Sequence, residues 1–289
     1  MMINVGIIGN GFVGNATSQF ENEEVAVNIY DIESEKCKPV GLTLEELSKE
    51  SDIIFICLPT PMKRDGGCYL GIIEGVIITM KTYIDFDEKI VVIRSTVPIS
   101  TSERLNCFFM PEFLTESNAK KDFRETECWV FGMKENKEEQ NKRMRETVIK
   151  ILETNVIYGN INSSNSVFVK SGEAEGIKLF KNTFLAVKVS FCNEFYRYCE
   201  SMNVNYDNVI KGVVTDSRIT SSHTKVPGNS GKFGFGGTCF PKDISSLQFE
   251  MKNKNLDSPV INGVIERNNK IDRRDQDWLK NKGRAVVEK

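Results

Sequence analysis

Cys239 lies in the run Gly234-Phe235-Gly236-Gly237-Thr238-Cys239-Phe240-Pro241-Lys242-Asp243, with flexible glycines before the thiol and charged groups after it. Such a polar setting favours an accessible nucleophile, although the commoner fate of a cysteine is burial as a small hydrophobe. Near the other end, Gly9-Asn10-Gly11-Phe12-Val13-Gly14 has the spacing of a dinucleotide fingerprint. It follows the apolar run Val5 to Ile8, opens a helical pattern, and precedes Asp31. Gly9 permits a tight turn, Gly11 lets a pyrophosphate approach the helix N-terminus, and Gly14 lets helix pack on strand. Asp31 would accept ribose hydroxyls and repel a 2′-phosphate, which favours NAD over NADP. The bland alternative is a glycine turn in an α/β protein that binds no nucleotide. Together the thiol and the fingerprint suggest oxidation of an aldehyde to an acid. The thiol adds to the aldehyde, a hydride leaves, and water cleaves the thioester.

Bulk properties narrow the field. The chain has 289 residues, 40% hydrophobic and 27% charged, with a formal net charge of -2. That length favours two domains or one large one, and the composition supports a core. Near-balanced charge argues against a dedicated nucleic-acid binder. No apolar run approaches a membrane span, and Met1-Met2-Ile3-Asn4-Val5-Gly6-Ile7-Ile8 reads as a first strand, not a signal peptide. A cytoplasmic protein is expected. The 8 cysteines form no CxxC pair and His223 is the one histidine, so no metal site is expected. Any general base must be a carboxylate, a lysine or an activated water.

Strands and helices alternate through the first part. Strands are expected at Val5 to Ile8, Val25 to Tyr30, Ile53 to Leu58, Ile90 to Ile93, Phe108-Phe109, Trp129 to Gly132 and Val156 to Tyr158. Helices fall after the glycine loop to about Phe20, at Leu44 to Ser48, Ile72 to Tyr83 and Lys134 to Glu153. This alternation predicts an α/β fold, a Rossmann-like doubly wound parallel sheet, over residues 1–160. Thr60 and Thr96 follow predicted strands, at the carboxyl edge where such sheets bind ligands. An all-helical domain is expected over 161–282, built on one long helix N-capped by Ser171 and reaching about Met202. Ile177, Phe184, Val187, Phe191, Phe195 and Tyr198 recur along it at roughly helical spacing. Further helices are expected near Tyr206 to Thr215, Ile244 to Lys254 and Pro259 to Lys280, with a glycine-rich loop from Pro227 to Thr238. Aromatic surface on the long helix predicts a homodimer.

In chain order, Gly9-Asn10-Gly11-Phe12-Val13-Gly14, Pro59-Thr60-Pro61, Ser95-Thr96-Val97-Pro98, Pro111-Glu112-Phe113-Leu114-Thr115-Glu116, Glu175-Gly176-Ile177-Lys178 with Asn182, Phe191-Cys192-Asn193-Glu194 and the Cys239 block form one ordered set. The set resembles the UDP-glucose/GDP-mannose dehydrogenase family, best its UDP-glucose 6-dehydrogenase branch. The resemblance implies oxidation of a nucleotide-sugar 6-hydroxyl to a carboxylate with two NAD, in a homodimer. It makes Cys239 the nucleophile. Lys178 and Asn182, one turn apart on a helix, would hold the oxyanion. Asp243 and a water held by Thr96 or Glu112 would supply base and hydrolytic water; which carboxylate does which is open. Gly9, Gly11, Phe12, Val13, Gly14, Asp31, Thr60, Thr96, Glu116 and Lys242 would face the cofactor. Lys36 would meet the adenosine phosphates or be a plain surface lysine. Glu112, Phe113, Leu114, Lys178, Asn182, Phe235 and Gly236 would face the substrate, with Arg218 reaching a partner's nucleotide site.

Three departures stand out. Family members carry a third, nucleotide-binding domain, and residues 283–289 look like its opening strand. Asn229 to Phe233 lengthens the loop before Cys239, where Lys232 would replace a lost phosphate contact. Met110 replaces the usual asparagine before Pro111. The alternatives to an active dehydrogenase are a non-catalytic NAD-binding or oligomerisation remnant, and an enzyme for another nucleotide sugar such as GDP-mannose.

Overall fold

The computed structural model describes residues 2–287. Seven strands form one sheet: β1 (Ile3–Ile8), β2 (Val25–Tyr30), β3 (Ile53–Ile56), β4 (Ile90–Ile93), β5 (Phe108–Phe109), β6 (Trp129–Met133) and β7 (Ser166–Lys170), ordered β2-β1-β3-β4-β5-β6-β7. All pairings are parallel except β5 with β6. The wholly apolar strands β3 and β4 are buried along their full length, as central parallel strands covered on both faces must be. At the edge, β2 alternates buried and part-buried residues. The helices are α1 (Phe12–Thr17), α2 (Leu44–Glu50), α3 (Gly71–Met80), α4 (Thr101–Leu105), α5 (Ala119–Arg124), α6 (Glu138–Ile157), α7 (Ser171–Ser201), α8 (Tyr206–Val213), α9 (Phe240–Asn253) and α10 (Pro259–Arg267). The fold is α/β and Rossmann-like, with a large helical region.

The chain forms two compact units, one of residues 1–60 and 70–178, the other of residues 61–69 and 179–289. In the first, one side of the sheet buries Phe20, Phe55, Phe123 and Trp129 together, and the other buries Ile54, Ile56, Ile73, Ile77, Val91 and Ile93. Burying each such side chain contributes about 1.5–3 kcal/mol. The second unit packs Ala186, Phe235 and Ile244 with α10 residues, and Cys192, Cys199, Tyr206 and Val226 separately.

Several elements differ from the sequence expectation. Val156 and Ile157 end α6 instead of forming a strand; the amphipathic run simply continues. The last strand is β7, whose weakly apolar edge sequence gives little period-two signal. Its pairing with β6 carries the first unit well beyond residue 160, to Lys178 within α7. Ser171 is the first residue of α7, not its N-cap, and its hydroxyl donates to the Met133 carbonyl at 3.1 Å. The expected single helix over 259–280 is α10, a π-turn at Asn268–Asp272 and a 3₁₀ turn at Asp277–Lys280. The second unit is also not all helical. Met62 bridges Cys68 in a small hairpin, and Met62 N–H donates to the Ala285 carbonyl at 2.9 Å. Of the expected opening strand at 283–289, Glu288 and Lys289 lie outside the described residues, as does Met1.

Candidate active site

The sheet order reverses between β1 and β3, and open α/β sheets bind ligands beyond the strand ends at such a point. Gly9 leaves β1 at φ +97°, and a Cβ there would lie 2.8 Å from the Cys57 carbonyl that follows β3. A Cβ at Gly14 would strike the Gly9 carbonyl, so α1 packs directly on the turn. At Gly11, by contrast, a side chain would meet no atom within 4 Å. Of the fingerprint glycines, two are closed against the protein and the middle one faces open space, which fits a cradle for a dinucleotide. Phe12 and Val13 begin α1 and are half-buried. Asp31 follows β2; its carboxylate accepts the Asn10 N–H at 2.7 Å and the Glu33 N–H at 3.1 Å. Lys36 pairs with Glu33 at 2.5 Å on the surface, and its carbonyl accepts the Asn10 side-chain amide at 2.7 Å.

Polar residues gather after β3, β4 and β5. The Thr60 hydroxyl donates to the Thr96 carbonyl at 2.7 Å, and both residues are buried. The Lys178 ammonium donates to Glu112 Oε1 at 2.7 Å and to the Glu112 carbonyl at 2.6 Å. Glu112 Oε2 accepts the Leu114 N–H at 2.8 Å, and the Phe113 ring lies 5.6 Å from the ammonium. Burial works against the Glu112 charge, but Lys178, the Leu114 N–H and Arg94 outweigh it and hold the pKa below the usual range. Glu116 is exposed, on the turn after this run.

In the second unit, Cys239 is the N-cap of α9, where unpaired backbone N–H groups and the helix dipole favour an anion. Pro241 in the first turn explains why the helix starts there. The Thr238 hydroxyl lies 3.7 Å from the thiol sulfur. One turn along, Asp243 is 1% exposed and accepts the Lys242 ammonium and the Asn182 side-chain amide, each at 2.5 Å. Burial opposes the Lys242 charge, yet Asp243, Cys239 and Cys68 around it raise its pKa. Lys242, expected at the cofactor, is thus engaged by Asp243. The Phe235 ring is core, and both polar atoms of its backbone are taken by Asn268. Gly236 lies against the Arg273 guanidinium. Arg218 is well exposed and pairs with Asp216. Lys232 donates to Asp275 at 2.6 Å and Asp277 at 2.9 Å, so its charge is met within the protein, not left for a phosphate.

Sequence reasoning missed several buried polar residues. Glu175, fully buried, accepts the N–H groups of Ser100 and Ser102 and the Ser102 hydroxyl, capping α4, whose own N-cap makes no side-chain bond. Burial is the main cause of its raised pKa. Arg94, 2% exposed, donates to Thr17 at 2.5 Å. Asn268 offered a usable signal: it continues the apolar face of Ile261, Val264 and Ile265, where a polar residue needs a buried partner.

Two family regions match this chain. Residues 40–154 match the NAD binding domain of the UDP-glucose/GDP-mannose dehydrogenase family, and residues 172–270 match its central domain. UDP-glucose 6-dehydrogenase of Rickettsia bellii (strain RML369-C) is 30% identical over 307 residues, covering 92% of this chain and 67% of the relative. The chain belongs to the UDP-glucose/GDP-mannose dehydrogenase family. Its NAD binding domain makes NAD the cofactor. The enzyme of the same name from Rickettsia felis (strain ATCC VR-1525 / URRWXCal2) is 29% identical over 89% of this chain and 60% of its own. The chain thus spans between 60% and 67% of these two relatives. A UDP-glucose dehydrogenase structure from Pyrobaculum islandicum shares the fold at TM-score 0.77, with 23% identity over 97% of this chain and 69% of that one. So does a Mycobacterium tuberculosis 3-hydroxyisobutyrate dehydrogenase at TM-score 0.67, with 15% identity over 92% of both chains. Among the described residues, no helix is long and apolar enough to cross a membrane.

Proposed function

We propose that this chain oxidises the 6-hydroxyl of a nucleotide sugar to a carboxylate, with UDP-glucose the favoured substrate and Cys239 the nucleophile. The observation that carries the reading is the first turn of α9, which sets a thiol at a helix N-terminus beside a lysine and a buried, doubly bonded aspartate. Gly9, Gly11, Phe12, Val13, Gly14, Asp31, Thr60, Thr96 and Glu116 would hold NAD. Bound NAD supplies the hydride acceptor for each of the two oxidations. The Cys239 thiolate adds to the aldehyde carbon, forming a C–S bond, and the carbonyl oxygen takes up a proton to give a thiohemiacetal. After the second oxidation the adduct is a thioester. Water attacks it, the C–S bond breaks, and the acid leaves with the thiolate restored. An ammonium has three N–H groups, and Lys178 spends two on Glu112, leaving one for the developing oxyanion. Asn182, which spends one amide N–H on Asp243, has a second amide N–H to donate and keeps the oxyanion role that the family resemblance gives it. In this reading Asp243 or Glu112 orders the water and takes its proton.

The reading extends to a homodimer. Phe180, Phe184, Phe191 and Tyr198 are exposed along α7, and large apolar patches of this kind mark association surfaces. Arg218 would then reach the partner's nucleotide. Light scattering at micromolar concentration tests this; a monomer contradicts it.

The decisive test is NADH formation with a panel of nucleotide sugars, joined to mass spectrometry of enzyme quenched during turnover. Two NADH per sugar and a substrate adduct on the Cys239 peptide are expected. Turnover of GDP-mannose instead reassigns the sugar. One NADH per substrate with no adduct makes the chain a simple alcohol dehydrogenase. NAD binding with no turnover makes it a binding module.

A further inference from the structure

The segment before Cys239 is gripped by side chains from two other elements. The carboxamide of Asn193, on α7, accepts the Gly234 N–H at 3.0 Å. Asn268, fully buried at the end of α10, accepts the Phe235 N–H at 2.9 Å and donates to the Phe235 carbonyl at 3.0 Å. A Cβ at Gly234 would overlap the Asn268 amide oxygen, and one at Gly236 would lie 2.6 Å from an Arg273 guanidinium nitrogen. Arg273 is 7% exposed and fixed by both oxygens of Asp277, at 3.1 and 2.8 Å. Lys232 bonds the same aspartate, so the start of the loop is tied to the group that holds its middle. At Gly237 the grip ends: φ is +74° and a side chain there would meet no atom within 4 Å. The contacts therefore fix the three residues before Gly237, and the exposed Gly237 separates them from the buried Thr238 and from Cys239.

We propose that Asn268 and Arg273 are positioning residues for the nucleophile, setting the path of Gly234–Gly236 so that Cys239 is presented at the start of α9. The proposal rests on the reading of Cys239 given above. Neither residue touches the reacting atoms; each acts through the loop backbone. Losing one or two buried hydrogen bonds of this kind shifts a local equilibrium by about tenfold.

The test measures the iodoacetamide alkylation rate of Cys239, followed by peptide mass spectrometry because seven other cysteines are present, beside kcat, KM and NAD affinity. Arg273→Lys keeps the charge and loses the fork; Asn268→Asp keeps the acceptor for Phe235 N–H and loses the donor. Both should change the alkylation rate and lower kcat by about tenfold, with NAD affinity within twofold of wild type. Lys232→Ala alters an exposed residue and keeps the measurement available if a buried variant fails to fold. It should act in the same direction by about threefold. Alkylation and kcat within twofold of wild type in folded Arg273→Lys and in Lys232→Ala would overturn the proposal. An altered alkylation rate in the variants of an enzyme that oxidises no nucleotide sugar would uphold the positioning role and defeat the catalytic reading alone.

Discussion

Glu112–Lys178 and Asp243–Lys242 pair the same charges in different enclosures. In the first, both side chains are 5% exposed or less, and the lysine is spent twice on one residue, its carboxylate and its carbonyl. In the second, the aspartate is 2% exposed and the lysine 13%, and the lysine shares its field among Asp243, Cys239 and Cys68. A lysine committed to a single buried partner is part of the fold as much as of the chemistry. Lys242 is bonded to Asp243 and also lies in the field of the Cys239 and Cys68 thiols. The difference favours Asp243 over Glu112 as the group that takes a proton in the proposed reaction, because Lys178, the Leu114 N–H and Arg94 hold the Glu112 pKa below its usual range.

The sharpest way to break the comparison is to change Cys239 beside the second pair and Glu112 within the first, and see which property fails. Cys239→Ala should cut sustained turnover by about three orders of magnitude or more, with stability changed by no more than about 0.5 kcal/mol. Near-normal four-electron turnover would end the covalent reading. Glu112→Gln should instead cost about 3–5 kcal/mol of stability in denaturant melts, since it leaves the Lys178 charge buried without its anion. Its pH dependence follows from the lowered Glu112 pKa. A carboxylate with a depressed folded pKa contributes stability above its unfolded value, about pH 4.3, and loses it as pH falls through the folded value. Wild type should therefore weaken in acid below about pH 4, and Glu112→Gln should lack that part of the decline. An unchanged acid limb would mean Glu112 is not the charge that Lys178 needs.

Asp31 offers a milder contrast, because its partners are backbone N–H groups, not a lysine. NAD should bind more tightly than NADP by about tenfold to a hundredfold, and Asp31→Asn should narrow the gap in calorimetry. Equal affinities in wild type would remove Asp31 from its role. The smallest effect is expected at Lys36, an exposed pair. Lys36→Ala should leave stability unchanged and lower NAD affinity by no more than about fivefold. A larger loss would make it a phosphate ligand.

The sequence alone determined the elements with strong local signals. The apolar runs of β1, β3 and β4 and the glycine spacing at residues 9–14 each act within a few residues, so their patterns survive without the fold; α9 was expected from Ile244 and begins at Phe240. Lys242 and Asp243 were read as two separate site residues, and only the structure joins them as a pair. Tertiary structure decided the rest. Glu112 meets Lys178 across 66 residues and Glu175 caps α4 across 73. Asn268 reaches Phe235 across 33, and β7 finds its place only by pairing with β6. These contacts join groups whose cost of burial is repaid solely by a partner elsewhere in the chain, and no local periodicity records such a partner. The division of 259–280 into a helix, a π-turn and a 3₁₀ turn was likewise not recorded in the local pattern: Asn268, at the first break, is held by Phe235.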